Sequence, residues 1–250
     1  MSTERGRTCV IGVMAKAPQP GRSKTRLCPP LSAAEAAALS AAFLRDITEN
    51  VALAGRSAAV QGCVTYAPAG AESLFDGHLA PGTGLLLADG AGPVPPGVEG
   101  FGRCLLHAAQ GLLAQGYGAV CLVNSDSPTL PTDYLLRAAI LLLAPGKRVV
   151  LGPAEDGGYY LIGMKAPYAD LFRDIAWSSD GVADATRARV AKLGLELVEL
   201  PLWYDVDDAE ALARLQRETH MPPPDSAAYT APATCAVLDT LRSAATIVVA

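Results

Sequence analysis

The sequence predicts an α/β fold in which a mostly parallel sheet is covered by helices on both faces. Three observations predict it. Strand-length apolar runs alternate with amphipathic segments of helix length from residue 8 to 217. The first run passes through a proline-stiffened basic loop into a capped helix, the opening of a βαβ unit. Half of the residues are hydrophobic and only 18% are charged, with 24 glycines and 19 prolines, a composition that suits a compact α/β protein.

The elements follow in order. Thr8 to Met14 reads as a buried strand, stopped by the prolines and glycine of Ala15-Lys16-Ala17-Pro18-Gln19-Pro20-Gly21. Ser32 and Glu35 form a capping-box signature, and Leu39, Phe43, Ile47 and Val51 continue it as a helical stripe. Ala58 to Tyr66 and Gly84 to Ala88 read as strands separated by turns, and Gly90 to Gly100 as a surface loop. Phe101 to Ala114 is expected to be a helix, Ala119 to Val123 a buried strand, and Thr132 to Leu143 a helix started by Pro131. Strands at Lys147 to Leu151 and Tyr159 to Met164 flank Glu155-Asp156-Gly157-Gly158. A helix from Val182 to Leu193, a strand from Leu195 to Leu200 and a helix from Ala209 to Arg217 complete a domain at residues 1–218. Residues 219–250 read as a tail with one short helix, Thr234 to Ser243.

A formal charge of −5 and a pI near 5.2 leave no broad cationic surface for nucleic acid, whereas a local basic patch on an acidic body suits a small anionic ligand. Met1 to Arg7 is polar and the most apolar stretch, Tyr134 to Ala144, is too short to span a bilayer and carries Arg137, so a cytoplasmic location is expected. Six widely spaced cysteines without a C-x-x-C pair indicate neither a zinc knuckle nor a redox couple.

In open parallel sheets ligands sit beyond the C-terminal strand ends. The loop after the first strand carries Lys16, Arg22, Lys24 and Arg26 within eleven residues, a set of surface-loop cations able to neutralise a polyphosphate. Its spacing excludes a P-loop, and Gly100-Phe101-Gly102 lacks the third glycine of a dinucleotide fingerprint. Asp126 follows a strand in a proline turn. Asp205 and Asp207, two residues apart, would share a side of an extended segment, where like charges repel unless a cation lies between them. These acids suit a divalent cation, although Asp126 would also serve a turn and Asp207 a helix cap. Asp156 lies beside two glycines that allow close approach to backbone, a signal shared with plain hairpin turns.

The residues K-x-P-x-P-G-x-x-K-T-R-L from Lys16, S-D-S-P-T-L-P at 125–131, G-P-A-E-D-G-G-Y-Y-L-I-G at 152–163, W-S-S from Trp177 and D-V-D from Asp205 resemble the glycosyltransferase-like family named radical-SAM/selenodomain-associated transferase 1. That family is similar to 2-phospho-lactate guanylyltransferase and, more distantly, to molybdenum-cofactor guanylyltransferase. The resemblance spans residues 8–217 and implies a single Rossmann-like GT-A domain, the nucleotide-diphospho-sugar transferase fold. It implies a metal-dependent transferase acting with Mg²⁺ or Mn²⁺ on a nucleotide-activated donor and a small-molecule acceptor. The donor would be a nucleotide sugar, with a nucleotidylyltransferase releasing pyrophosphate, or a non-catalytic nucleotide-binding module, as the alternatives. Ala15, Lys16, Ala17, Gly21, Lys24, Thr25, Arg26 and Ser125 are the expected nucleotide-binding residues, and Asp126, Asp205 and Asp207 the expected metal ligands. Glu155, Asp156, Gly157, Gly158 and Tyr159 would bind substrate, and Lys24 and Asp126 would be catalytic.

Overall fold

The computed structural model describes residues 2–248. A short N-terminal turn, α1 (Ser2–Arg5), precedes β1 (Cys9–Lys16), α2 (Ala33–Ala54), β2 (Val60–Ala67) and β3 (Gly84–Leu87). Then come α3 (Phe101–Ala114), β4 (Ala119–Asn124), α4 (Thr132–Leu143), β5 (Arg148–Pro153) and β6 (Tyr159–Met164). The chain continues through α5 (Val182–Lys192), β7 (Glu196–Glu199), α6 (Ala209–His220) and α7 (Pro232–Val248). The strands form one seven-stranded sheet in the order β3-β2-β1-β4-β6-β5-β7. β6 runs antiparallel to both of its neighbours, and the remaining pairs are parallel.

Strand alternation divides the core into two layers. Cys9, Ile11 and Val13 of β1 face α2 and α4, packing with Leu44, Ile47, Leu135 and Leu142. Val10 faces the other way, into a layer closed by Leu105, Leu106 and Leu112 of α3 and Val190 of α5. Helices thus cover both faces. The capping box expected at Ser32 is formed, with Glu35 N–H donating to Ser32 Oγ and Ser32 N–H to the Glu35 carboxylate.

Several elements differ from their expected bounds by a few residues at an end, and two of the differences matter to the site or to the tail. β1 extends through Ala15 and Lys16, because both pair with β2 as Ala15–Tyr66 and Lys16–Ala67. The last helix begins at Pro232 and is longer than Thr234 to Ser243, and it lies along α2. Its start is fixed by Asp46, a fully buried carboxylate on α2 that accepts Ala233 N–H at 3.0 Å and Thr234 N–H at 2.7 Å. Leu238 joins Leu39 and Phe43 of α2 and Leu212 and Leu215 of α6 in a third apolar cluster outside the sheet layers.

Strand order reverses at β1, so the C-terminal ends of β1 and β4 flank a crevice. The reversed direction of β6 places the β5–β6 turn at the same edge.

Candidate active site

The loop after β1 is shaped from within. Ser23 is buried, its Oγ accepting Gln19 N–H at 3.0 Å and donating to Ala17 C=O at 3.1 Å. The next residue, Lys24, takes a left-handed conformation at φ 50° and ψ 39°, unusual for a side chain with a Cβ and found where surroundings dictate it. Lys24 therefore turns inward. Contrary to the expectation of a surface-loop cation, its side chain is only 6% exposed. Its Nζ lies 2.8 Å from Oδ1 of Asp126 and 2.8 Å from Oδ1 of Asp207, and donates to Val206 C=O at 2.8 Å. Burial would lower the lysine pKa, but the charges of Asp126 and Asp207 outweigh it and hold the pKa above its ordinary value.

The acids converge because two loops are laced together. Val206 N–H donates to Asp126 C=O at 2.9 Å, and Ser127 Oγ–H to Tyr204 C=O at 2.9 Å. The extended segment expected at Trp203 to Asp207 is a loop with a single bridge, Ala154 to Trp203, so contacts with the β4 loop rather than strand alternation align Asp205 and Asp207. Helix α6 is capped by Asp208, which accepts Ala211 N–H at 2.8 Å, so the cap expected of Asp207 belongs to its neighbour. Among the described residues no ion pair forms at Asp205. Burial first, then the charges of Asp207, Asp156 and Asp126, push its pKa up to about 6. The cation that like charges require is therefore supplied to Asp126 and Asp207 by Lys24, while Asp205 goes without.

A cavity of about 720 Å³ opens between these elements. Ala15, Lys16, Lys24, Thr25, Arg26 and Ser125 line it, together with Asp126, Asp205 and Asp207. So do Asp156, Gly158 and Tyr159. Ala17, Gly21, Glu155 and Gly157 do not. Ala17 is buried, Glu155 is held by Arg214 at 2.8 Å, and Gly157 serves the protein's own backbone. At Gly157 the φ is 86°, and a Cβ there would meet the Asp180 carbonyl oxygen at 2.0 Å. The close approach expected of a ligand is made by residue 180.

Residues 177–180 carry no expected site role, although Trp177, Ser178 and Ser179 form the W-S-S motif; all four line the cavity, as does Phe101. The Gly100-Phe101-Gly102 sequence holds the signal. A Cβ on Gly102 would meet the Trp177 ring at 2.9 Å, so the glycine admits the indole beneath the first turn of α3. Phe101 packs edge-on against it, with ring centroids 5.8 Å apart.

The sheet order and the cleft at its switch point define a nucleotide-diphospho-sugar transferase fold, the class that solved structures of similar shape share. One is a candidate nucleotide-diphospho-sugar transferase from Desulfovibrio desulfuricans G20, with TM-score 0.73, 28% identity, and coverage of 93% of this chain and 97% of that one. A second, CMP:2-keto-3-deoxy-manno-octonic acid synthetase complexed with CTP, has TM-score 0.51 and 11% identity over 83% of this chain and 96% of that one, a likeness of fold. No curated protein sequence matches. The family described as an uncharacterized protein conserved in bacteria (DUF2064) matches residues 50–179, more than half of the chain, and the chain belongs to that family.

Proposed function

We propose that the cleft is the active site of a nucleotide-utilising transferase that moves a sugar from a nucleotide-sugar donor to a small-molecule acceptor. The observation that carries this reading is the meeting of a basic loop and acidic side chains in one cavity at the sheet's switch point. The description of the 28% identical Desulfovibrio protein supports it, as does the finer sequence resemblance to the radical-SAM/selenodomain-associated transferases.

In this reading Lys16, Arg22 and Arg26 bind the donor diphosphate from the β1 loop, with the Ala15, Thr25 and Ser125 positions shaping the nucleotide side. Lys24 and Asp126 are the catalytic pair: the ammonium neutralises charge on the departing diphosphate, and Asp126 fixes where that ammonium stands. Among the described residues no three acids are set close enough to form a ready-made metal cluster. Asp126, Asp205 and Asp207 would nonetheless supply oxygen donors of the kind a hard divalent cation such as Mg²⁺ or Mn²⁺ takes, and Asp205 has no ion-pair partner among the described residues. Two of the three already share Lys24, so the protein alone would not enclose such a cation, and the substrate phosphates would have to contribute to holding it. Such an ion supplies charge neutralisation of the phosphates.

Incubation with nucleotide sugars or nucleoside triphosphates, each with Mg²⁺ or Mn²⁺ and a panel of hydroxylated and phosphorylated small-molecule acceptors, tests the reading. Release of free nucleoside diphosphate is expected. Release of pyrophosphate instead would assign a nucleotidylyltransferase, and nucleotide binding without turnover a non-catalytic module.

A further inference from the structure

The cleft is divided by charge, and the division bears on the second substrate. All four cations that line it, Lys16, Arg22, Lys24 and Arg26, come from the β1 loop. The opposite wall is built from the β5–β6 turn and residues 177–180 with Val182, and its charged members are Asp156 and Asp180. The arginines around that wall are already engaged: Arg214 by Glu155 and Glu218, Arg173 by Asp170, and Arg189 by Asp174. None of these three lines the cavity. The wall is also aromatic and fixed. Trp177 is wedged against Gly102, meets Phe101 edge-on, and meets Tyr159 at a centroid distance of 6.5 Å and an angle of 78°. Phe101 is 47% exposed, a large apolar ring left open at the cavity.

We propose that this wall is the acceptor subsite, and that the acceptor is a hydroxylated ring carrying neither phosphate nor carboxylate. Carboxylates accept hydrogen bonds and cannot donate them when ionised, so Asp156 and Asp180 match hydroxyl or ammonium groups. An anionic acceptor would face like charge with no cation lining its wall; Arg103, on α3 nearby, is turned to the Gly90 and Gly92 carbonyls and does not line the cavity. Aromatic surface covers the apolar face of a sugar ring, while the carboxylates take its hydroxyls. The inference rests on the basic loop being the phosphate side of the cleft. It makes the acceptor, unlike the donor, a partner without negative charge.

The test uses three probes of one ring: methyl α-D-glucopyranoside, glucosamine and glucose 6-phosphate. Pyrophosphate is titrated first by calorimetry to establish that the basic loop takes phosphate, and is then kept saturating so that the loop cannot capture the phosphorylated probe. The neutral and cationic probes are expected to bind, and glucose 6-phosphate roughly tenfold more weakly or worse. The Asp156→Asn/Asp180→Asn double variant should narrow that gap, with circular dichroism verifying its fold. Tighter binding of glucose 6-phosphate by wild type, or no binding of the neutral probe, overturns the inference. Failure of pyrophosphate to bind removes the donor reading and this inference with it, whereas pyrophosphate binding followed by preference for the phosphorylated sugar removes this inference alone.

Discussion

The ammonium of Lys24 lies 2.8 Å from a carboxylate oxygen of Asp126, 102 residues further along the chain, and the same distance from Asp207. One side chain thus ties the β1 loop to both acidic loops. Its removal leaves Asp126 without a cation and Asp207 with only the exposed Arg26, 3.9 Å away. Lys24→Ala should therefore destabilise the protein by about 2 kcal/mol, less than the breaking of a fully buried pair because Asp126 and Asp207 keep 33% and 41% exposure. Mg²⁺ should raise the melting temperature of the variant more than that of wild type, since the vacated acids gain a replacement charge. Thermal scans with Mg²⁺ and with EDTA measure both effects, and an identical Mg²⁺ response in the two proteins would count against the acids as a cation site.

Asp205 gives the opposite sign. Its folded-state pKa near 6 lies above the ordinary 3.8, so between these values the folded state keeps a proton that the unfolded state has lost. Stability from this group falls as pH rises through that window and stays lowered above it. In EDTA, Asp205→Asn should melt higher than wild type at pH 8 by roughly 2–4 °C, the equivalent of about 1 kcal/mol. The advantage should close as pH falls towards about 4. A variant no more stable than wild type at pH 8 would refute the charge crowding.

At Gly157, added bulk has nowhere to go. The positive φ and the 2.0 Å approach to the Asp180 carbonyl mean that Gly157→Ala must displace the turn or the start of α5. Ala183 N–H, which donates to Gly157 C=O at 2.9 Å, moves with them. A loss of about 2 kcal/mol or more is expected in denaturant unfolding, and a neutral substitution would show that the turn is not clamped.

Neighbouring acids separate cap from site. Asp208→Ala removes the α6 cap and should cost about 1 kcal/mol while leaving pyrophosphate affinity unchanged. Asp207→Ala should leave the cap intact and alter pyrophosphate affinity, because it frees Lys24 from one of its two acids. Calorimetry and thermal melts on both variants decide it. The reverse pattern would return the cap to Asp207.

Much of the scaffold was legible because its signals are local. Phe101 to Ala114 and Thr132 to Leu143 are helices with the expected bounds, the second started by a proline whose chemistry does not depend on the rest of the fold. The reversed direction of β6 was not legible, since an apolar strand has the same pattern whichever way it runs. The basic loop and the acids at 126, 205 and 207 could be picked out by residue type and position after strands. The burial of Lys24 could not, because the carboxylates that neutralise it are 102 and 183 residues away. Trp177 escaped for the same reason: the glycine that makes room for it stands 75 residues earlier, at Gly102.

Asp46 and the start of α7 have a consequence for the order in which the chain becomes native. The carboxylate on α2 meets donors 187 and 188 residues later, and Leu238 closes the apolar cluster that Leu39 and Phe43 begin. During synthesis these groups wait for residues 233–238 to emerge, and closing so long a loop comes late in folding. A nascent chain stalled before Pro232 therefore displays an uncovered apolar flank on an otherwise formed sheet, the kind of surface that chaperones bind.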